Sequence, residues 1–220
     1  RLSVRVTYEH ELEVLKQDLK EMAHMVESAI EQTFMAFEDQ DYTMAEDVIK
    51  GDRTVNDMER AIESRCLSLI LRQQPVASDL RQVSTALKVV TDLERIGDHA
   101  SDIAELILRI KSEHAYHIVK HLPVMAASAN AMVHDAIEAF INQDLDSAME
   151  IIERDDEVDT LFNQVKGEST LASGATVLLM RPFLTRLSSE SSTNSVCMER
   201  IFSSTVSTIC SKLLPAAMRS

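Results

Sequence analysis

The sequence predicts an all-α protein, two tandem three-helix bundles of up-down helices, and three observations predict it. Apolar residues recur at three- and four-residue steps over long stretches, the period of a helix with one buried face. Gly and Pro number only 4 each in 220 residues, too few for the tight turns of an all-β chain. The chain also repeats itself: Met35 to Glu59 aligns without gaps on Glu138 to Phe162, an offset of 103 residues. The matches are Ala36/Ala139, Phe37/Phe140, Gln40/Gln143, Asp41/Asp144, Ala45/Ala148, Ile49/Ile152, Asp52/Asp155 and Val55/Val158. Any two helices share apolar steps, but the same Gln-Asp pair at the same helix junction points to a duplicated unit. The first bundle is expected over residues 1–112 and the second over 113–220.

The first helix is expected from about residue 8 to 39, with Leu12, Leu15, Leu19, Met22, Val26, Ile30 and Phe37 on one stripe. A second runs from about 41 to 73 through Ala45, Val48, Val55, Met58, Ile62 and Leu69, with Gly51-Asp52 as a local break. Pro75 ends it, and Ser78 is the expected N-cap of a third helix whose stripe is Ala86, Val89, Leu93, Ile96, Ala100, Ile103 and Ile107. His114, His117 and His121 then fall in a polar, exposed connection leading to Pro123. A fourth helix covers about 124–142 and a fifth about 145–165. Short connections make the first two helices antiparallel neighbours. With Trp absent and aromatics at 4%, the core is Leu, Ile, Val, Met and Ala.

Charge narrows the function. The chain carries 36 acidic and 22 basic side chains, a net −14. Such a surface repels a phosphate backbone, which argues against nucleic-acid binding, and favours cationic partners, metal ions among them. Residues 167–220 differ from the rest: five basic and three acidic side chains make them +2, leaving −16 for 1–166, and they hold 18 Ser and Thr. Cys66, Cys197 and Cys210 have no metal-type spacing and are odd in number, which suits a reducing compartment. No apolar run approaches the roughly 20 residues of a bilayer span, and Arg1 to Tyr8 lacks a signal-peptide core. A cytoplasmic protein is expected.

The third helix carries the chemistry. At 100° per residue, Glu94, Asp98, Asp102 and Glu105 fall within about 40° of one line, opposite Leu93, Ile96, Ala100 and Ile103. Glu94 and Asp98 are four apart, with Cβ atoms about 5–6 Å from each other, close enough to share an ion such as Fe, Mn, Mg or Zn. Gly97 between them opens the helix to close approach, at about 1 kcal/mol. On the second helix Asp52, Asn56, Glu59 and Glu63 make a further oxygen-bearing stripe that faces the first if the helices are antiparallel. A solvated acidic face is the plain alternative. There is no Gly-rich phosphate loop, no G-x-S-x-G and no nucleophile–base arrangement, so no enzyme is expected.

Gln74-Pro75-Val76-Ala77-Ser78-Asp79-Leu80-Arg81, followed by Asp92-Leu93-Glu94-Arg95-Ile96-Gly97-Asp98-His99, resembles the PhoU family of phosphate-specific transport accessory proteins. Val55-Asn56-Asp57-Met58-Glu59 and Cys66-Leu67-Ser68-Leu69-Ile70 add to the resemblance, which covers about residues 8–166. It implies two similar bundles, each able to hold a multinuclear metal cluster through an E-x-x-x-D motif, here Glu94 and Asp98. Asp102, Asn56, Glu59 and Glu63 are further candidate ligands. It also implies a homodimeric negative regulator of the phosphate-starvation response. Such a regulator links the phosphate ABC transporter subunits to a sensor histidine kinase and reaches the membrane only peripherally, through those partners. A ferritin-like carboxylate metal-storage or oxidising protein and a metal-free helical scaffold are the rival readings.

The second copy departs from the motif. Met198-Glu199-Arg200-Ile201 parallels Leu93-Glu94-Arg95-Ile96, but Phe202-Ser203-Ser204 replaces Gly97-Asp98-His99, and Phe162 and Lys166 stand where Glu59 and Glu63 would be. Residues 167–220 have either diverged or are a mis-read of the genuine end. An intact mass equal to the 24.6 kDa of this sequence rejects the mis-read, and a different mass supports it.

Overall fold

The structure is a computed structural model, and it describes residues 2–73, 75, 77–109, 121–154, 156–158, 160, 161, 163 and 164. Among these residues there is helix and no strand. The elements are α1 (Leu2–Asp39), α2 (Tyr42–Gln73), α3 (Ala77–Arg109), α4 (Leu122–Asn142) and α5 (Leu145–Glu153).

Four boundaries differ from the sequence reading. α1 extends back to Leu2, because no Gly or Pro between Leu2 and Tyr8 stops the backbone. α2 passes through Gly51 unbroken, since buried Val48 and Val55 anchor the turns on either side and one helical Gly costs only about 1 kcal/mol. Ser78 lies inside α3 rather than capping it, the helix resuming at Ala77 directly after the Pro75 connection. α5 ends at Glu153, where Glu153, Asp155, Asp156 and Glu157 crowd like charges at neighbouring helical positions. Residues 156–158, 160, 161, 163 and 164 beyond it are again helical. His114, His117, the end of the first bundle at 112 and the expected sixth helix lie outside the described residues.

α1, α2 and α3 pack on one another, α4 packs on α1, and α5 packs on α4. α1 is therefore shared by both halves. Its Leu15, Leu19, Met22, Val26 and Ile30 are within 1% of full burial. Met132, Val133, Ala136 and Phe140 of α4 continue the same core cluster. Buried Thr33 ties α1 to α3: its Oγ1 lies 2.7 Å from the Ala29 carbonyl oxygen and 3.2 Å from that of Ala100. Cys66 is also buried in this core, which pushes its thiol up to about 12 and leaves it protonated. None of the described helices is long and apolar enough to cross a membrane.

The repeat seen in the sequence is repeated in the backbone. Gln40 and Gln143 both sit at φ 55°, the left-handed residue that ends a helix. The next residue's N–H closes the turn in each copy, Asp41 onto the Ala36 carbonyl at 3.0 Å and Asp144 onto Ala139 at 2.9 Å. Each aspartate then caps the following helix, Asp41 Oδ1 accepting from Met44 N at 3.0 Å and Asp144 Oδ1 from Ser147 N at 3.2 Å. Matched pairs Phe37/Phe140, Ala45/Ala148 and Val55/Val158 are buried in both copies.

Gly97 is where three helices meet. A Cβ built on it would stand 3.2 Å from Val55 Cγ1 of α2 and 3.7 Å from Val26 Cγ2 of α1, whereas Gly51 has nothing within 4 Å. Two glycines in helix interiors thus respond oppositely to a side chain. Gly51→Ala is expected to stabilise by about 0.5–1 kcal/mol through helix propensity alone. Gly97→Val is expected to destabilise by about 1–3 kcal/mol through overpacking. Urea unfolding of the two variants checks both signs.

Candidate metal site on the α2–α3 face

The close approach at Gly97 decides how the two acidic stripes meet. α2 and α3 run antiparallel, so Asp52 lies opposite Asp98 and Asp102, and Glu59 lies opposite Glu94 and Thr91. Asp98 comes within hydrogen-bonding reach of both Asp52 and Glu94. Two carboxyl groups bond to each other only if one keeps a proton, which is why the contact with Asp98 helps push Asp52 and Glu94 upward.

The carboxylates are half-buried, not the exposed ridge that the helical wheel alone suggested, because α2 covers their flank. Desolvation is the largest effect on each shifted group. It pushes Glu94 from an ordinary 4.5 up to about 7, with Asp98, Glu59 and Asp52 adding repulsion. It raises Asp52, reinforced by the charge of Asp98. It raises Glu59, reinforced by Glu63, while the charge of Arg60 and the neighbouring Thr91 hydroxyl act the other way; that hydroxyl donates to the Leu87 carbonyl oxygen at 3.1 Å.

Arg60 bears on the cluster through its charge at Glu59, and the nearby arginines are each engaged by another carboxylate. Arg60 pairs with Asp57 at 3.3 Å, Arg65 with Asp18 at 2.7 Å, Arg95 with Asp92 at 3.7 Å and Arg109 with Glu105 at 3.3 Å. Two oxygen atoms remain without a donor. Asn56 Nδ2 donates to Asp52 Oδ2 at 3.1 Å, yet Asn56 Oδ1 and Asp52 Oδ1 are buried with no hydrogen-bond partner. A buried acceptor left in this state costs about 1–3 kcal/mol.

The donor set suits a hard or borderline cation: carboxylate and carboxamide oxygens, mutually repelling, two of them unsatisfied. Among the described residues no three His, Cys, Asp or Glu side chains already stand as a ligand group, so ligation requires these side chains to draw closer together. Asp52, Asn56, Glu59, Glu94 and Asp98 are brought together. Asp102 reaches the cluster through Asp52, and Glu63 adjoins Glu59 alone among them. Glu105, on the same stripe, is drawn off by Arg109. Thr91 is the member that sequence reasoning missed; its signal was its place one turn before Glu94 on the same line.

Comparison with known proteins places this face in context. A family model described as PhoU domain matches residues 19–107 and again 122–201. A phosphate-specific transport system accessory protein PhoU homolog of Clostridium acetobutylicum is 42% identical over 165 residues, 74% of this chain and 75% of that one. Its counterpart in Aquifex aeolicus is 39% identical over 158 residues, 72% of each chain. The crystal structure of PhoU from Pseudomonas aeruginosa superposes with a TM-score of 0.79 at 26% identity, covering 97% of this chain and 100% of that chain.

Raised carboxyl groups make stability depend on pH in a known direction. The folded state holds protons that the unfolded state releases above about 4.5, so stability is full below that value and is lost as pH rises through about 7. In the presence of a chelator, the melting temperature is expected to fall between pH 5 and pH 8, and Glu94→Gln to flatten that fall. Thermal melts monitored by circular dichroism check it; a pH-independent midpoint in the wild type contradicts it.

Proposed function

Because the chain belongs to the PhoU family, we propose that it is a regulatory accessory of phosphate transport that acts by binding rather than by catalysis. Its relatives are named as accessory proteins of the phosphate-specific transport system. In this reading it works in the cytoplasm as a homodimer, joins the phosphate ABC transporter to a sensor histidine kinase, and restrains the phosphate-starvation response. The α2–α3 face is its metal site, with Glu94, Asp98, Asp52, Asn56 and Glu59 as ligands and Asp102 and Glu63 at its margin. Bound cations there neutralise mutually repelling carboxylates and fix the charge that the face presents to a partner.

The observation that carries the metal reading is the pair of buried, donorless oxygens, Asp52 Oδ1 and Asn56 Oδ1, inside a cluster of mutually repelling carboxylates. A ferritin-like storage site is less well supported, since ligands there project into the bundle core. Here Leu93, Ile96 and Ala100 occupy the core side of α3.

Elemental analysis of protein purified without chelator tests this. About one or more divalent ions per chain is expected, with the content falling to background in Glu94→Gln/Asp98→Asn, whose helicity is retained. Capture of phosphate-transporter components is expected from the wild type and to weaken in that variant. Unchanged metal content in the variant supports a metal-free scaffold instead.

A further inference from the structure

We propose that the furrow between α1 and α4 is a docking surface for a cationic amphipathic helix of a partner protein. This inference stands on other residues than the α2–α3 face and does not rest on the metal reading. The furrow encloses about 390 Å³. Its apolar lining comes from Ile30, Phe34 and Met35 of α1 and from Ala126, Ala127 and Ala131 of α4. Met35 is 43% exposed and Val124, beside the furrow's Pro123, is 55% exposed.

Acceptors dominate its polar edge. Glu27, Glu31 and Glu38 line the α1 edge at helical steps of four and seven, one row on one face. Among the described residues no lysine or arginine lines the furrow. The basic side chain among its described residues is His134, whose Nδ1 sits 3.2 Å from a Glu27 carboxylate oxygen at one end. Asn130 Oδ1, on the α4 side, is buried and has no donor.

The complement of this surface is apolar, rich in N–H donors and positively charged. A helix supplies all three: an apolar stripe settles between two helices as a third, and flanking Lys or Arg reach the carboxylate row. From Glu27 to Glu38 the edge is about 16 Å long, three turns. A second copy of this chain is the poorer occupant, because two-fold pairing of the furrow sets its glutamate row against itself.

The test uses the full chain and a fluorescein-labelled helical peptide of about 18 Leu, Ala and Lys residues with the lysines on one face. Anisotropy is read at about 0.15 M salt. Binding is expected to weaken about tenfold or more in Glu31→Lys/Glu38→Lys and in Ala131→Arg. It is expected to hold in Glu46→Lys/Asp47→Lys, the same charge change on the exposed side of α2. Equal loss in both double variants reduces the effect to net charge and overturns the proposal, as does no loss in either. A photo-crosslinking amino acid replacing Met35 reads the occupant: capture of the peptide supports the proposal. Capture of a second copy, or of the chain's own residues 166–220, overturns it.

Discussion

The approach of α2 to α3 at Gly97 is the constraint on which the candidate site depends. With no side chain on Gly97, Val55 and Val26 move in against the α3 backbone, and the core closes around them. The same closeness covers the flank of Glu94 and Asp98 and brings Asp52 and Glu59 against them. Packing that is favourable on the apolar side of α3 therefore forces an unfavourable arrangement on its polar side. The protein holds the carboxylates together because the hydrophobic contact beneath them outweighs their repulsion. A proton on Glu94 relieves this partly; a cation relieves it more fully.

α1 gives the molecule its second organising feature. It closes the first bundle and also serves as the platform for α4, so both halves share one core. An ion pair and a polar contact stitch that junction at its edges, Lys20 to Glu138 at 2.7 Å and His134 Nδ1 to Glu27 at 3.2 Å. Such exposed pairs contribute little individually, and the buried contacts of Val26, Ile30, Met132 and Ala136 carry the association. The result is two acidic features on different helices: a coupled cluster between α2 and α3, and a row of glutamates bordering an apolar furrow between α1 and α4.

Much of this was legible in the sequence. Apolar steps placed the five helices of the described residues, and the 103-residue repeat anticipated both Gln-Asp junctions. Four-residue spacing put Glu94, Asp98 and Asp102 in line, and the parallel reading of Asp52, Asn56 and Glu59 supplied the facing row. Depth was not legible. A helical wheel shows which residues share a face but not how near the next helix comes, and that distance is set by a glycine meeting a valine 42 positions away in the chain. Thr91 was missed for the same reason, since its place beside Glu59 depends on how near the two helices come. The left-handed backbone at Gln40 and Gln143 was likewise hidden, because glycine is the residue that ordinarily marks it.

The coupling itself is open to direct observation. Carbon-13 titration of the Glu94 side-chain carboxyl in metal-free protein reports the local electrostatics without relying on a bound ligand or a partner. A midpoint near 7, falling toward 4.5 when Asp98 is changed to Asn, is the expected result. A wild-type midpoint already at 4.5 and insensitive to Asp98 would contradict a desolvated, mutually repelling cluster between α2 and α3.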